Sequence, residues 1–127
     1  MNSIMRQRFD ISTSATKCDT GAQAWGEIVQ ARWEQTGVAD TGADLQVYVQ
    51  QREADTGDGV KLVLDDDCLG TDFTKVWRQP MHNSDGVALD TGNDLTGPVY
   101  LAGERLRVRV VPAGGTVTGK LYVWIKQ

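Results

Sequence analysis

Histidine occurs once in this chain of 127 residues, cysteine twice and proline three times. Each shortage excludes something. His82, in Pro80-Met81-His82-Asn83, rules out a His-rich zinc site and leaves any Ser-His-Asp triad hanging on one loop residue. Cys18 and Cys68 are too few for a disulfide framework. Met1 to Arg8 has neither an apolar core nor a small-residue cleavage site, so no secretory signal is expected and the two thiols are read as free. No apolar run approaches the roughly 20 residues that span a bilayer. Lysine and arginine number 13 against 17 aspartates and glutamates, a net charge of −4 with a sequence pI near 4.8. That balance argues against a nucleic-acid partner, because phosphate contacts need clustered cations. No glycine-rich phosphate loop follows a strand and opens a helix, and no stretch carries a helical apolar period.

What the chain does have is period-two alternation. Arg105-Leu106-Arg107-Val108-Arg109-Val110-Val111 puts Leu106, Val108 and Val110 on one face and Arg105, Arg107 and Arg109 on the other. After Pro112-Ala113-Gly114-Gly115-Thr116 the pattern resumes, with Leu121, Val123 and Ile125 opposite Tyr122 and Trp124. This reads as an antiparallel hairpin with a wide connection. One face anchors a core. The other carries three arginines, a local exception to the acidic balance, across from Tyr122 and Trp124 at cation–π reach.

The rest of the chain punctuates short strands with turns. Phe9-Asp10-Ile11 suggests a short strand within an uncommitted segment, residues 1–24. Gly26 to Thr36 reads as a strand with Val29, Ala31 and Trp33 on one face, although its residues also tolerate a helix, and Leu45, Val47 and Val49 alternate cleanly in the next. Val60 to Leu64, Phe73 to Trp77, Val87 to Leu89 and Val99 to Leu101 follow. Roughly seven to nine short strands with regular turn signals make an all-β antiparallel sandwich, a jelly roll. The expected organisation is an extended N-terminal arm, 1–24, and one sandwich domain, 25–127.

Asp-Thr-Gly occurs at Asp19, Asp40, Asp55 and Asp90. Asp40-Thr41-Gly42-Ala43-Asp44 resembles the active-site loop of retroviral-type aspartic proteases, which are β-rich homodimers whose two aspartates share a proton. Leu101-Ala102-Gly103 echoes the segment packed behind that loop. The family's glycine-rich flap is missing, and a strand follows Gly103 where the family has a helix. Asp-Thr-Gly is also the composition of an ordinary turn, in which aspartate caps backbone amides and glycine takes positive φ. The four copies are read as turns. Asp65-Asp66-Asp67 with Asp72, or Asp55 with Asp58, matches no calcium loop of defined ligand spacing. The expectation is no enzyme, no metal and no cofactor.

The Leu45 to Gln50 strand, the Leu106 to Pro112 strand, Ala113-Gly114-Gly115-Thr116 and the Leu121 to Ile125 strand together resemble the small cement or decoration proteins of tailed-bacteriophage capsids. The likeness spans residues 44–127. It implies a jelly roll closed by the terminal strands, on a structural protein of the virion made in the host cytoplasm. It further implies docking on the major capsid protein outside the assembled shell, bridging of neighbouring subunits, and a homo-oligomer, dimer or trimer. Residues 1–24 would then reach a neighbouring molecule. The surface residues expected to bind the partner are Arg105, Arg107, Arg109, Tyr122 and Trp124, since arginine and tryptophan dominate interface hot spots. The rival is a carbohydrate- or receptor-binding sandwich of a phage tail, in which exposed Trp and Tyr stack on sugars.

Overall fold

The computed structural model describes residues 3–37, 40, 42–50, 61–67, 73–75, 79–80, 96–97 and 99–127. All regular structure in them is β. The strands are β1 (Ile4–Thr13), β2 (Lys17–Gln35), β3 (Asp44–Gln50), β4 (Lys61–Asp67), β5 (Phe73–Lys75), β6 (Gln79–Pro80), β7 (Thr96–Gly97), β8 (Val99–Val111) and β9 (Val117–Lys126). Seven form one antiparallel sheet in the order β1-β9-β2-β8-β3-β4, with β5 also on β2, while β6 and β7 pair separately.

Strand β2 organises the sheet. Its 19 residues would run roughly 60 Å if straight, against a radius of gyration of about 14 Å for a domain of this size. It therefore has to bend. The pairing shifts between Thr20 and Gln23, between Ala24 and Trp25, and again between Ile28 and Gln30. Gly26 sits at the bend with φ +127°, and a Cβ there would run into the carbonyl oxygen of Lys126. Lys17 to Ile28 pairs with β8 and Glu27 to Gln35 with β9, so around the bend β2 is paired on both edges. The irregular backbone is satisfied locally. Arg105 Nη1 donates to the Gly21 carbonyl at 3.1 Å, Gln7 Nε2 to the Ala22 carbonyl at 3.1 Å, and Gln23 Nε2 to the Gly103 carbonyl at 3.0 Å.

The inner face forms one apolar core. Leu106, Val108, Val110, Leu121, Val123 and Ile125 are all buried, as their alternation requires. They join Leu45, Val47 and Val49 of β3, Ile28, Ala31 and Trp33 of β2, and Phe9 and Ile11 of β1. Each such aliphatic side chain withdrawn from water contributes about 1.5–3 kcal/mol before entropy is counted.

Three expectations are corrected. Strands β8 and β9 do not form a hairpin, because β2 lies between them and occupies an edge of each. The connection 112–116 can reach roughly 17 Å when extended, and crossing one intervening strand takes about 10 Å. Residues 4–24 are not an arm set apart from the sheet. Strand β1 pairs along its whole length with β9, from Ile4 opposite Lys126 to Thr13 opposite Val117, and it buries Phe9 and Ile11. The strand expected from Gly26 begins at Lys17, because bulges let it continue where alternation lapses. Val87 to Leu89 lies outside the described residues.

Candidate functional site

The outward face is most easily followed along β2. In its first half, lateral rows cross from β2 through β8 to β3. Cys18, Arg109 and Gln46 share one row; Thr20, Arg107 and Tyr48 the next; Gln23, Arg105 and Gln50 the third. All three arginines are half-buried. Arg105 is tied to the Gly21 bulge, and Arg109 Nη1 donates to Gln46 Oε1 at 3.4 Å. The Tyr48 hydroxyl donates to the same oxygen at 3.1 Å. Two donors therefore converge on one amide oxygen and hold this polar face in register.

Beyond the Gly26 bend the rows run from β1 through β9 to β2. Ile4, Lys126 and Glu27 lie in one row, Arg6, Trp124 and Gln30 in the next, and Arg8, Tyr122 and Arg32 in the third. Tyr122 and Trp124 are half-buried, with ring centroids 6.0 Å apart and planes tilted by 33°. The guanidinium of Arg6 lies 4.8 Å above the Tyr122 ring. A cation–π contact exists here, but its cation comes from β1 rather than β8. From Gln23, beside Arg105, to Gln30, beside Trp124, β2 runs roughly 20 Å. The sequence had placed the arginines and the aromatics together; the fold puts them on the outward side of different stretches of the sheet, the arginines beside the first half of β2 and the aromatics beside the second.

Between the two groups lies a third, outside the expected partner-binding set. Trp25 and Tyr100 are 57% and 65% exposed, and Ile4 is 65% exposed. Trp25 pairs with Ala102 and Glu27 with Tyr100, which makes the two aromatics diagonal neighbours on the outward face. Trp25 is held from behind. Gly103, a bulge residue at φ +88°, lies so close that a Cβ there would meet the indole at 3.2 Å. The Ala102 amide donates to Glu104 Oε1 at 3.2 Å beside it. Tyr100 could have been read from alternation, because Val99 and Leu101 on either side are buried. Trp25 could not, since the β2 bulges leave no side-chain signature.

Asp40 is a structural cap. Its Oδ2 accepts from the Ala113 amide at 2.8 Å, and its carbonyl accepts from the Ala43 amide at 3.1 Å in a turn with Gly42 at φ +91°. Asp19 and Gly21 instead lie within β2, at a bulge rather than a turn. The copies at Asp55 and Asp90, together with His82 and Cys68, fall outside the described residues. Asp65, Asp66 and Asp67 are the last three positions of β4, opposite Gln46, Leu45 and Asp44.

No family model matches this chain, and no curated protein does. Among solved structures, the crystal structure of FlhE aligns with TM-score 0.45 and 15% identity over 98% of this chain and 96% of that one. The structure of infectious bursal disease virus, Gx strain, aligns with TM-score 0.36 and 15% identity over 98% of this chain and 32% of that one. Its Gt-strain counterpart gives TM-score 0.32 and 12% identity, again over 98% and 32%. Likenesses this distant bear on neither the function nor the finer topology.

Proposed function

We propose that this chain is a non-enzymatic structural protein that decorates the outside of a tailed-phage capsid, docking on the major capsid protein and bridging neighbouring subunits. The observation that carries this reading is the run of lateral rows through Arg105, Arg107 and Arg109, a cationic stripe on a chain of net charge −4. Arginine is enriched where protein surfaces meet. Side chains carried on a hydrogen-bonded sheet also lose less freedom on docking than side chains on a loop. Bridging needs a second contact on the same rigid body, and Tyr122 and Trp124 supply an aromatic one roughly 20 Å away.

We also infer that the sheet closes as a sandwich of the jelly-roll kind, with β2 and β8 changing layers at their bulges. The packing of β1 on β2 supports this. Phe9 is the ladder partner of Leu121, which pairs with Trp33, yet a Cβ at Gly21 would meet the Phe9 ring at 3.0 Å. Strand β1 therefore folds over the first half of β2 while remaining in register with the second. In this reading the protein resides on the virion surface and requires no cofactor.

Co-sedimentation with assembled empty capsids of tailed phages tests the proposal. The chain is expected to pellet with them, less as salt rises, because rim charges are screened. The Arg107→Ala/Arg109→Ala variant should fold normally and bind at least about tenfold more weakly, the scale of a lost hot spot. Capsid binding undiminished in that variant would refute the docking surface. Binding to glycans but not to capsids would favour the receptor-binding alternative.

A further inference from the structure

The outward face carries two aromatic pairs set in unlike electrostatic surroundings. At one end, Trp25 and Tyr100 lie beside Glu27 and Glu104, with Lys126 across from Glu27 and the nearby Arg105 tied to the Gly21 carbonyl. At the other, Tyr122 and Trp124 lie among Arg6, Arg8, Arg32 and Lys120, offset by Asp10 and Glu34. Arg8 pairs with Asp10 at 3.2 Å and Arg32 with Glu34 at 3.3 Å, so the second end keeps a positive excess. Each end thus offers aromatic surface, and the two ends differ in sign.

A surface of this kind is complementary to itself. A two-fold axis lying in the interface, perpendicular to the line that joins the two aromatic pairs, runs obliquely across the strands and exchanges the two ends between copies. It sets the Trp25–Tyr100 end of each chain on the Tyr122–Trp124 end of the other. Both aromatic pairs are then covered, and both charge matches are made twice, as an isologous interface requires. We propose that the occupant of this face is a second copy of this chain, in a face-to-face homodimer with Trp25 and Tyr100 as its anchors. The area suffices. Four strands at about 4.8 Å spacing and nine residues of length cover roughly 600 Å² before side-chain relief, near the ~800 Å² per partner of a standard interface. Trp25 is suited to anchoring because Gly103 already holds its ring, so little rotamer freedom is lost on association. This inference does not rest on the capsid reading, since the dimer forms in free solution; where both hold, the dimer takes Tyr122 and Trp124, and bridging falls to the arginine stripes of its two copies.

Sedimentation equilibrium of the full chain from about 1 to 500 µM is the test. The expected result is a monomer–dimer equilibrium that shifts toward monomer as salt rises. Trp25→Ala and Tyr100→Ala should each raise the dissociation constant about tenfold or more, with unchanged circular dichroism and, at concentrations where the wild type is monomeric, an unchanged melting temperature. Charge reversal supplies a control that misfolding cannot mimic. Arg6→Glu and Glu27→Lys should each weaken self-association alone, and an equimolar mixture of the two variants should recover a heterodimer, because both cross-chain charge matches are restored. A wild-type chain monomeric throughout the range would overturn the proposal. So would folded Trp25→Ala or Tyr100→Ala dimerising as tightly as wild type, or a charge-reversed mixture that stays monomeric.

Discussion

Trp25 and Trp33 are eight positions apart in the same strand, and in an unbroken strand an even separation puts both side chains on one face. Here Trp33 is fully buried in the core, while Trp25 stands outward and is 57% exposed. The bulge between Ile28 and Gln30 separates them and reverses the parity. Before it Ala24 and Ile28 face inward; after it Ala31 and Trp33 do. One inserted residue therefore turns one tryptophan into core and leaves the other as surface. Trp33 also has a partner for its polar edge, its Nε1 donating to Gln35 Oε1 at 3.2 Å.

The largest effect expected from breaking this contrast is at Trp33. Trp33→Ala leaves a large void beneath β9 and should cost about 3–5 kcal/mol, read as a lower urea midpoint at unchanged slope. A cost under 1 kcal/mol would mean that Trp33 is not the centre of the core. Next comes Gly26, the bend between the two tryptophans. Gly26→Ala forces a side chain into positive φ and against the Lys126 carbonyl, and should cost on the order of 1–3 kcal/mol in the same denaturation. Tolerance of alanine there would show that the strand can turn by another route. The smallest effect is at Trp25. In dilute solution, where the chain is monomeric, Trp25→Ala should change stability by no more than about 0.5 kcal/mol, and acrylamide should quench Trp25 far more readily than Trp33. If Trp25→Ala destabilises as much as Trp33→Ala, the parity reversal does not occur in solution.

The candidate site was legible only in part. The arginines of β8 and the aromatics of β9 do stand on the outward face, because alternation within each strand assigns faces correctly. Their expected juxtaposition failed because it assumed that strands adjacent in sequence are adjacent in the sheet. Arg6, which does lie over Tyr122, is 116 positions from it in the chain, and no local pattern links them. Asp40 illustrates the opposite case. Turn chemistry was readable in Asp-Thr-Gly, and the Asp40 carboxylate is committed to the Ala113 amide. The copy at Asp19 carries the same composition but lies in a strand, where the pairing with β8 overrides the local turn preference.

By itself, then, the order of residues determined the β class and the inward sets Leu106, Val108, Val110 and Leu121, Val123, Ile125, because pleating imposes a period of two on any extended segment. Tertiary structure alone decided that β2 separates β8 from β9, that β1 and the first residues of β2 join the sheet, and that Trp25 and Trp33 face opposite ways. Strand neighbours are chosen by burial and hydrogen bonding summed over distant segments, and a bulge is a property of the ladder between two strands rather than of either strand's residues.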